Sequence, residues 1–378
     1  MSKTICRQTA GFAAVIFLTA SAAHGADTPA KFLGANSCAS SSCHGGGGAE
    51  QNQFLVWSFK DFHSQRPPAT LTTARSKQIA DALEIKDPTA DARCTTCHAP
   101  LHEVPESLRG ENFKVSEGVS CESCHGPAEN WLRPHTRKDY TRADHTAAGM
   151  RDLQNLYVRA NTCVACHQNV DADILKAGHP ELIFELDGQS VAEPKHWSAE
   201  KNGNGTQAWL VGQAVALREM SWQLANEKSP TENEINRWRG LVWLVERAGK
   251  TDSSLPSPPD ITFRPNEENF QLVQKWGDDL AMAVAKTSWM EKSSPATLTA
   301  LANTSSDFGV EIPQPVCARR AERLVLALDR LVAALPELKN NGPVQSALNQ
   351  LFKLAQSVPD FDAKQFAAAL EKFSATLH

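Results

Sequence analysis

Two things are missing from this 378-residue sequence, and each absence excludes a class of function. There is no excess of positive charge: 38 Lys and Arg stand against 43 Asp and Glu, for a net charge of −5. With a pI near 6.2, no basic face or stripe of the kind that binds nucleic acid is expected. There is also no long apolar run after the first 25 residues, so no later segment is expected to insert stably in a membrane. What remains, 21% charged and 41% hydrophobic, is the composition of a soluble globular protein long enough for two ordinary domains.

Residues 1–25 carry Lys3 and Arg7, then an apolar run from about Gly11 to Ala23, then Ala23-His24-Gly25 before Ala26. This order reads as a cleaved secretory signal, and the run is shorter than the ~20 residues that span a bilayer. Export to the periplasm follows. The mature chain then keeps nine of the ten cysteines in a compartment where free thiols oxidise, so their arrangement needs a specific reason.

Eight of them form four pairs: Cys38-Ala-Ser-Ser-Ser-Cys43-His44, Cys94-Thr-Thr-Cys97-His98, Cys121-Glu-Ser-Cys124-His125 and Cys163-Val-Ala-Cys166-His167. Disulfides or zinc could use a CxxC pair, but neither explains a histidine directly after each second cysteine. Covalent haem attachment does: Cys38, Cys43, Cys94, Cys97, Cys121, Cys124, Cys163 and Cys166 form thioethers with the haem vinyl groups. His44, His98, His125 and His167 then reach iron from one face. Four covalently attached haem c groups are expected. The longer spacing of the first motif lengthens its loop while leaving Cys43 and His44 adjacent. Cys317, unpaired in an apolar helical stretch, reads as a buried structural thiol.

The second axial position decides what such an iron does, since a filled position serves electron transfer and an open one binds small molecules. Seven histidines are spare, six of them between residues 63 and 196: His63, His102, His135, His145, His179 and His196. His102 lies four residues after His98, on the same side of a helix, and can serve only a neighbouring haem. His63 follows the aromatic stretch Phe54 to Phe59, His135 follows the third motif closely, and His179 sits in a Gly178-His179-Pro180 turn. Met150 is the only methionine between residues 26 and 198 and is a poor candidate.

Residues 35 to 197 resemble the multihaem cytochromes typified by tetrahaem cytochrome c-554, the electron acceptor of hydroxylamine oxidoreductase. The likeness lies in Gly118-Val119-Ser120-Cys121-Glu122-Ser123-Cys124-His125-Gly126-Pro127 running on to His135, and in Trp57-Ser58-Phe59-Lys60-Asp61-Phe62-His63. The resemblance implies that His135 ligates the first haem opposite His44, and His63 the third opposite His125. In such cytochromes the second haem can be five-coordinate, which here would be the haem held by His98. The stretch Ala177-Gly178-His179-Pro180-Glu181-Leu182 is similar to wider multihaem relatives, which implies His179 as a distal ligand, to the fourth haem. Residues 198 to 378 have no counterpart in the small tetrahaem type.

The expected fold is mainly α. Residues 26–198 form a haem-packed multihaem cytochrome domain with little regular structure, because their apolar residues are too sparse for a conventional core. A composition shift at Asn202-Gly203-Asn204-Gly205 marks a boundary, and residues 199–378 form a C-terminal helical bundle. Its helices are expected over Trp209–Ala225, Ile235–Ala248, Phe270–Trp289, Val316–Leu335, Val344–Val358 and Phe361–Leu377, from apolar residues at three-and-four spacing. Trp209, Trp222, Trp238, Trp243, Trp276 and Trp289 are expected in its core.

The leading functional reading is a periplasmic carrier that passes electrons between redox partner proteins and needs no catalytic residue. The alternative is a reductase or oxidase of a small nitrogen or sulfur compound, such as nitric oxide, at a five-coordinate haem. A third is a haem sensor or a subunit of a respiratory complex, with the bundle docking a partner or a second copy.

Overall fold

The structure, a computed structural model, describes residues 29–48, 51–196, 205–260, 264–286, 293–357 and 360–377. The signal segment, Asn202 to Asn204 at the expected boundary, Trp289 and His378 lie outside them. The described residues are mainly helical, with one isolated bridge between Phe32 and Arg109 and no strand. None of their helices is long and apolar enough to cross a membrane.

The first half is a series of short helices: α1 (Gln53–Lys60), α2 (Phe62–Thr70), α3 (Ala74–Ala82), α4 (Ala92–His98), α5 (Cys121–His125), α6 (Arg142–Ala147), α7 (Leu156–His167), α8 (Ala172–Lys176) and α9 (Leu186–Ala192). Most start on a side chain that accepts from an otherwise unpaired backbone N–H: Asp61 for α2, Thr73 for α3, Asp91 for α4, Thr141 for α6 and Asn155 for α7. The second half is built from longer helices: α10 (Gly205–Asn226), α11 (Glu232–Gly249), α12 (Glu267–Lys286), α13 (Ser293–Ala302), α14 (Gln314–Ala333), α15 (Pro336–Lys339), α16 (Gly342–Ala355) and α17 (Ala363–Ala375). A capping box opens α11, in which Glu234 Oε2 accepts from Thr231 N at 2.7 Å and Thr231 Oγ1 accepts in return from Glu234 N at 3.3 Å.

α10 is the axis of the bundle. It is buried on nearly every side from Trp209 to Leu217, and it packs on α12, α11, α14, α7 and α9. One contiguous apolar core runs through these helices, with Trp209, Trp238, Phe366 and Phe373 fully buried. It takes in Ala160 and Val164 of α7, with Phe184 and Leu186, but no residue before Leu156. Before Leu156 the described residues add nothing to this core; the buried apolar residues there, such as Val56, Ile79, Ile85, Leu101 and Trp131, lie outside it. Polar contacts reinforce the seam: Arg218 of α10 donates to Asn161 of α7 at 2.5 Å and to Asp278 of α12 at 2.9 Å, and Tyr157 donates to Asp278 at 2.6 Å.

Two expectations need correction. Trp222 is 46% exposed, because α10 emerges from the core at its C-terminal end and buries only Met220, Ser221 and Leu224 there. α13 was not anticipated: Ser-Ser-Pro-Ala-Thr-Leu-Thr-Ala-Leu-Ala is short, and its apolar residues do not form a stripe at helical spacing. α12 is described as far as Lys286, and Trp289 lies outside the described residues. Cys317 is fully buried on α14, with its thiol 3.8 Å from the Ile312 carbonyl.

The closest helix pair, α10 with α12, depends on Gly277. A Cβ there would lie 2.9 Å from the Ala214 carbonyl oxygen and 3.1 Å from the Arg218 nitrogen. A Gly→Ala change inside an unencumbered helix stabilises by about 1 kcal/mol. Gly277→Ala is expected to do the reverse and destabilise by about 1–3 kcal/mol through overpacking, read as a lower urea midpoint.

Candidate metal centres

In three of the four motifs the local fold explains the spacing. α4, α5 and α7 each end on the motif histidine, so Cys, Cys and His fall at i, i+3 and i+4 on one face of a helix. The long first motif folds differently. A 3₁₀ turn, Ala35–Cys38, is followed by a loop in which Cys43 N donates to Ser40 O at 2.9 Å and His44 N to Cys38 O at 3.2 Å. The extra residues thus loop out, and His44 returns beside Cys38.

None of the eight motif cysteines is in a disulfide among the described residues. Cys121 adjoins Cys38 and holds its thiol below the usual range, while Cys97 and Cys166 adjoin in the same way with Cys166 pushed up. The first motif therefore lies against the third and the second against the fourth. Burial pushes the Cys124 thiol up to about 12 and the Cys163 thiol to about 11.

The histidines have a consistent second contact that leaves one ring nitrogen free. His44 Nδ1 lies 2.9 Å from Gln53 Oε1, His98 Nδ1 2.9 Å from the Pro67 carbonyl, and His135 Nδ1 2.5 Å from the Leu132 carbonyl. His179 Nδ1 is 2.9 Å from the Pro180 carbonyl, and His63 Nδ1 is 3.0 Å from Asp61 Oδ1. His167 Nδ1 sits 3.2 Å from the Gln189 amide nitrogen, while Gln189 Oε1 is buried without a partner. Turning that amide over satisfies both groups. In each case Nδ1–H donates to an oxygen and Nε2 is left as the lone-pair nitrogen a metal needs.

These rings meet in pairs. His44 and His135 have centroids 6.0 Å apart, His63 and His167 6.1 Å, and His98 and His179 6.4 Å. A metal–imidazole bond of about 2.0–2.1 Å on each side, plus roughly 1.1 Å from nitrogen to ring centre, puts two axial imidazoles about 6.3 Å apart. Burial first, and then the facing ring, push His98 and His167 below the usual imidazole range, so both are neutral donors. Paired thiols beside opposed, anchored imidazoles fit a covalently attached haem with an axial ligand on each face.

The resemblance pairs His135 with His44, and the structure brings those rings together. It does not bring His63 to His125 or His179 to the fourth motif. His63, on the α2 turn next to Asp61, faces His167. His179, in a turn held by Arg75 donating to the Gly178 carbonyl at 2.6 Å, faces His98. The iron expected to be open, at His98, thus has a second imidazole opposite. The motif histidine with no ring partner among the described residues is His125. It is half-buried, its Nδ1 is buried without a hydrogen-bond partner, and desolvation, followed by the electrostatic effect of His196, pushes its pKa down to about 4.

Of the other candidates, His102 Nδ1 contacts Glu103 at 2.9 Å, and the His145 ring lies 5.0 Å from Tyr140 with a buried, unpartnered Nε2. His196 Nδ1 is 3.2 Å from the Pro194 carbonyl, the same kind of contact as in the facing pairs. It groups with Asp61 and Glu193, ligand atoms all within 4.8 Å of one another. Sequence reasoning missed the anchors; Asp61, two residues before His63, is the one side-chain anchor close enough in sequence to have been noticed.

Residues 37–126 match the family model described as cytochrome c554 and c-prime. The chain is also 31% identical over 172 residues to cytochrome c-554 of Nitrosomonas europaea, a match covering 42% of this chain and 66% of that protein. The match thus spans just under two thirds of the relative's length. No solved structure matches the chain.

Glu122, between the cysteines of the third motif, is a buried staple. Its carboxylate accepts from Leu33 N at 2.9 Å, Gly34 N at 2.7 Å and Ala128 N at 2.7 Å. In Glu122→Gln the side-chain NH₂ would have to face one of these N–H donors. A loss of about 1–3 kcal/mol is expected, measurable as a lower urea midpoint for the N-terminal half.

Proposed function

Through its motif-bearing N-terminal half the chain belongs to the cytochrome c554 family, and from that premise we propose that it carries four covalent haems and passes single electrons between redox partner proteins in the periplasm. The observation that carries this reading is the set of three opposed imidazole pairs. Haem iron held between two imidazoles supplies a one-electron couple with no position left for a substrate. Cys38 and Cys43, Cys94 and Cys97, Cys121 and Cys124, and Cys163 and Cys166 hold the four groups. His44, His98, His125 and His167 are the proximal ligands; His135, His179 and His63 close the first, second and fourth. His196, near enough to His125 to perturb it and with its Nδ1 anchored like the others, closes the third. The C-terminal bundle, through α10 and α12, is the support on which α7 and the fourth motif rest.

The second reading, reduction or oxidation of a small nitrogen or sulfur compound, is favoured by one observation: among the described residues His125 has no facing ring. On that reading the chemistry falls at the third haem rather than the second.

A pyridine haemochrome assay with intact mass is expected to give four haems per chain, and Cys38→Ser to lose one. Single changes of His63, His135 and His179 to Ala should each convert one low-spin haem to high-spin in the electron paramagnetic resonance spectrum. The reduced wild type should bind no carbon monoxide, and His196→Ala should create one responsive haem in four. Carbon monoxide binding by the wild type at a single haem would instead establish the second reading.

A further inference from the structure

The anchors of the opposed imidazoles are not equivalent. Five of the six rings rest on neutral oxygens, backbone carbonyls or side-chain amides, and only His63 rests on a carboxylate. Asp61 is 7% exposed, so water does little to screen its charge. No Lys or Arg pairs with it among the described residues. Glu193, the nearest other acid, adds negative charge, and His196 is the third member of the group.

A buried anion on the Nδ1–H of an axial imidazole makes Nε2 a stronger donor and places negative charge near the iron. Both effects favour the ferric over the ferrous state. We propose that Asp61 is a positioning residue that makes the haem between His167 and His63 the hardest of the three opposed-imidazole haems to reduce, and so sets the order in which the chain fills with electrons. The inference rests on the reading of His63 as an iron ligand.

Asp61 also caps α2 by accepting from His63 N at 2.9 Å. Asparagine caps a helix equally well and keeps an oxygen for Nδ1–H, so Asp61→Asn removes the charge and little else. The test is a spectropotentiometric titration of the four-haem protein. In Asp61→Asn all haems should stay low-spin, and the lowest-potential wave should become easier to reduce by about tenfold in its equilibrium constant, 59 mV for one electron. Asp61→Ser, which keeps a capping oxygen but is too short to hold the ring, should move the same wave in the same direction. His63→Ala identifies that wave, because the haem it turns high-spin is the one concerned. If His63→Ala produces a high-spin haem but neither Asp61 variant moves its wave, the inference is overturned and the ligand reading stands. If His63→Ala leaves every haem low-spin, the ligand reading itself falls.

Discussion

The arrangement of the N-terminal half depends on the hydrogen bond that occupies Nδ1 of each of the six paired imidazoles. An unanchored imidazole rotates about its side-chain bonds and exchanges tautomers, whereas an anchored one presents Nε2 in a fixed direction. The anchors fall into two kinds by distance along the chain. On the motif side they are remote: Gln53 is nine residues from His44, Gln189 is 22 from His167 and Pro67 is 31 from His98. On the opposing side they are local, within three residues for His63, His135 and His179. The remote anchors brace each motif against a second element, while the local ones let a short turn carry a correctly aimed ring.

Helix α2 shows how much of this traces to two prolines. Pro67 and Pro68 cannot donate to the carbonyls four residues back. The His63 carbonyl accepts instead from Val119 N at 3.1 Å, which ties α2 to the segment entering the third motif. That segment passes so close that a Cβ on Gly118, at φ +70°, would lie 2.9 Å from both the His63 and Ser64 carbonyl oxygens. The Pro67 carbonyl, left outside the helical ladder, takes the His98 ring. One irregular helix thus carries the ring that faces the fourth motif, anchors the second and borders the third.

The two halves are tied through the fourth motif. α7 ends on Cys163, Cys166 and His167, yet Ala160 and Val164 lie in the core of the bundle, and Gln189, which anchors His167, sits on α9 against α10. The fourth motif is thus the only one built on the apolar core. The other three hang on polar staples such as Glu122 and on the side chains around them. Their stability is correspondingly more dependent on what the eight thiols hold, because a segment that buries little apolar surface gains little from folding by itself.

What the sequence reveals follows the range of the interaction. The four attachment motifs are legible because thioether and proximal ligation need residues within a few positions of one another, and long amphipathic helices such as α11, α14, α16 and α17 are legible because an apolar stripe is periodic. α13 is not, since its buried face mixes Ser294 and Thr297 with Leu298, Leu301 and Ala302 and so leaves no apolar stripe. Ligand pairing is legible only in part. That His63, His135 and His179 share an environment with the motifs can be read from their neighbours, but which motif each one faces is decided by contacts 31 to 103 residues apart, such as Pro67 with His98 and Arg75 with Gly178. A likeness to a family carries over the presence of a histidine more reliably than its partner, because shifting one supporting turn by a few ångströms re-aims the ring without changing the local sequence. His63 facing His167, and His179 facing His98, are the two places where this chain shows it.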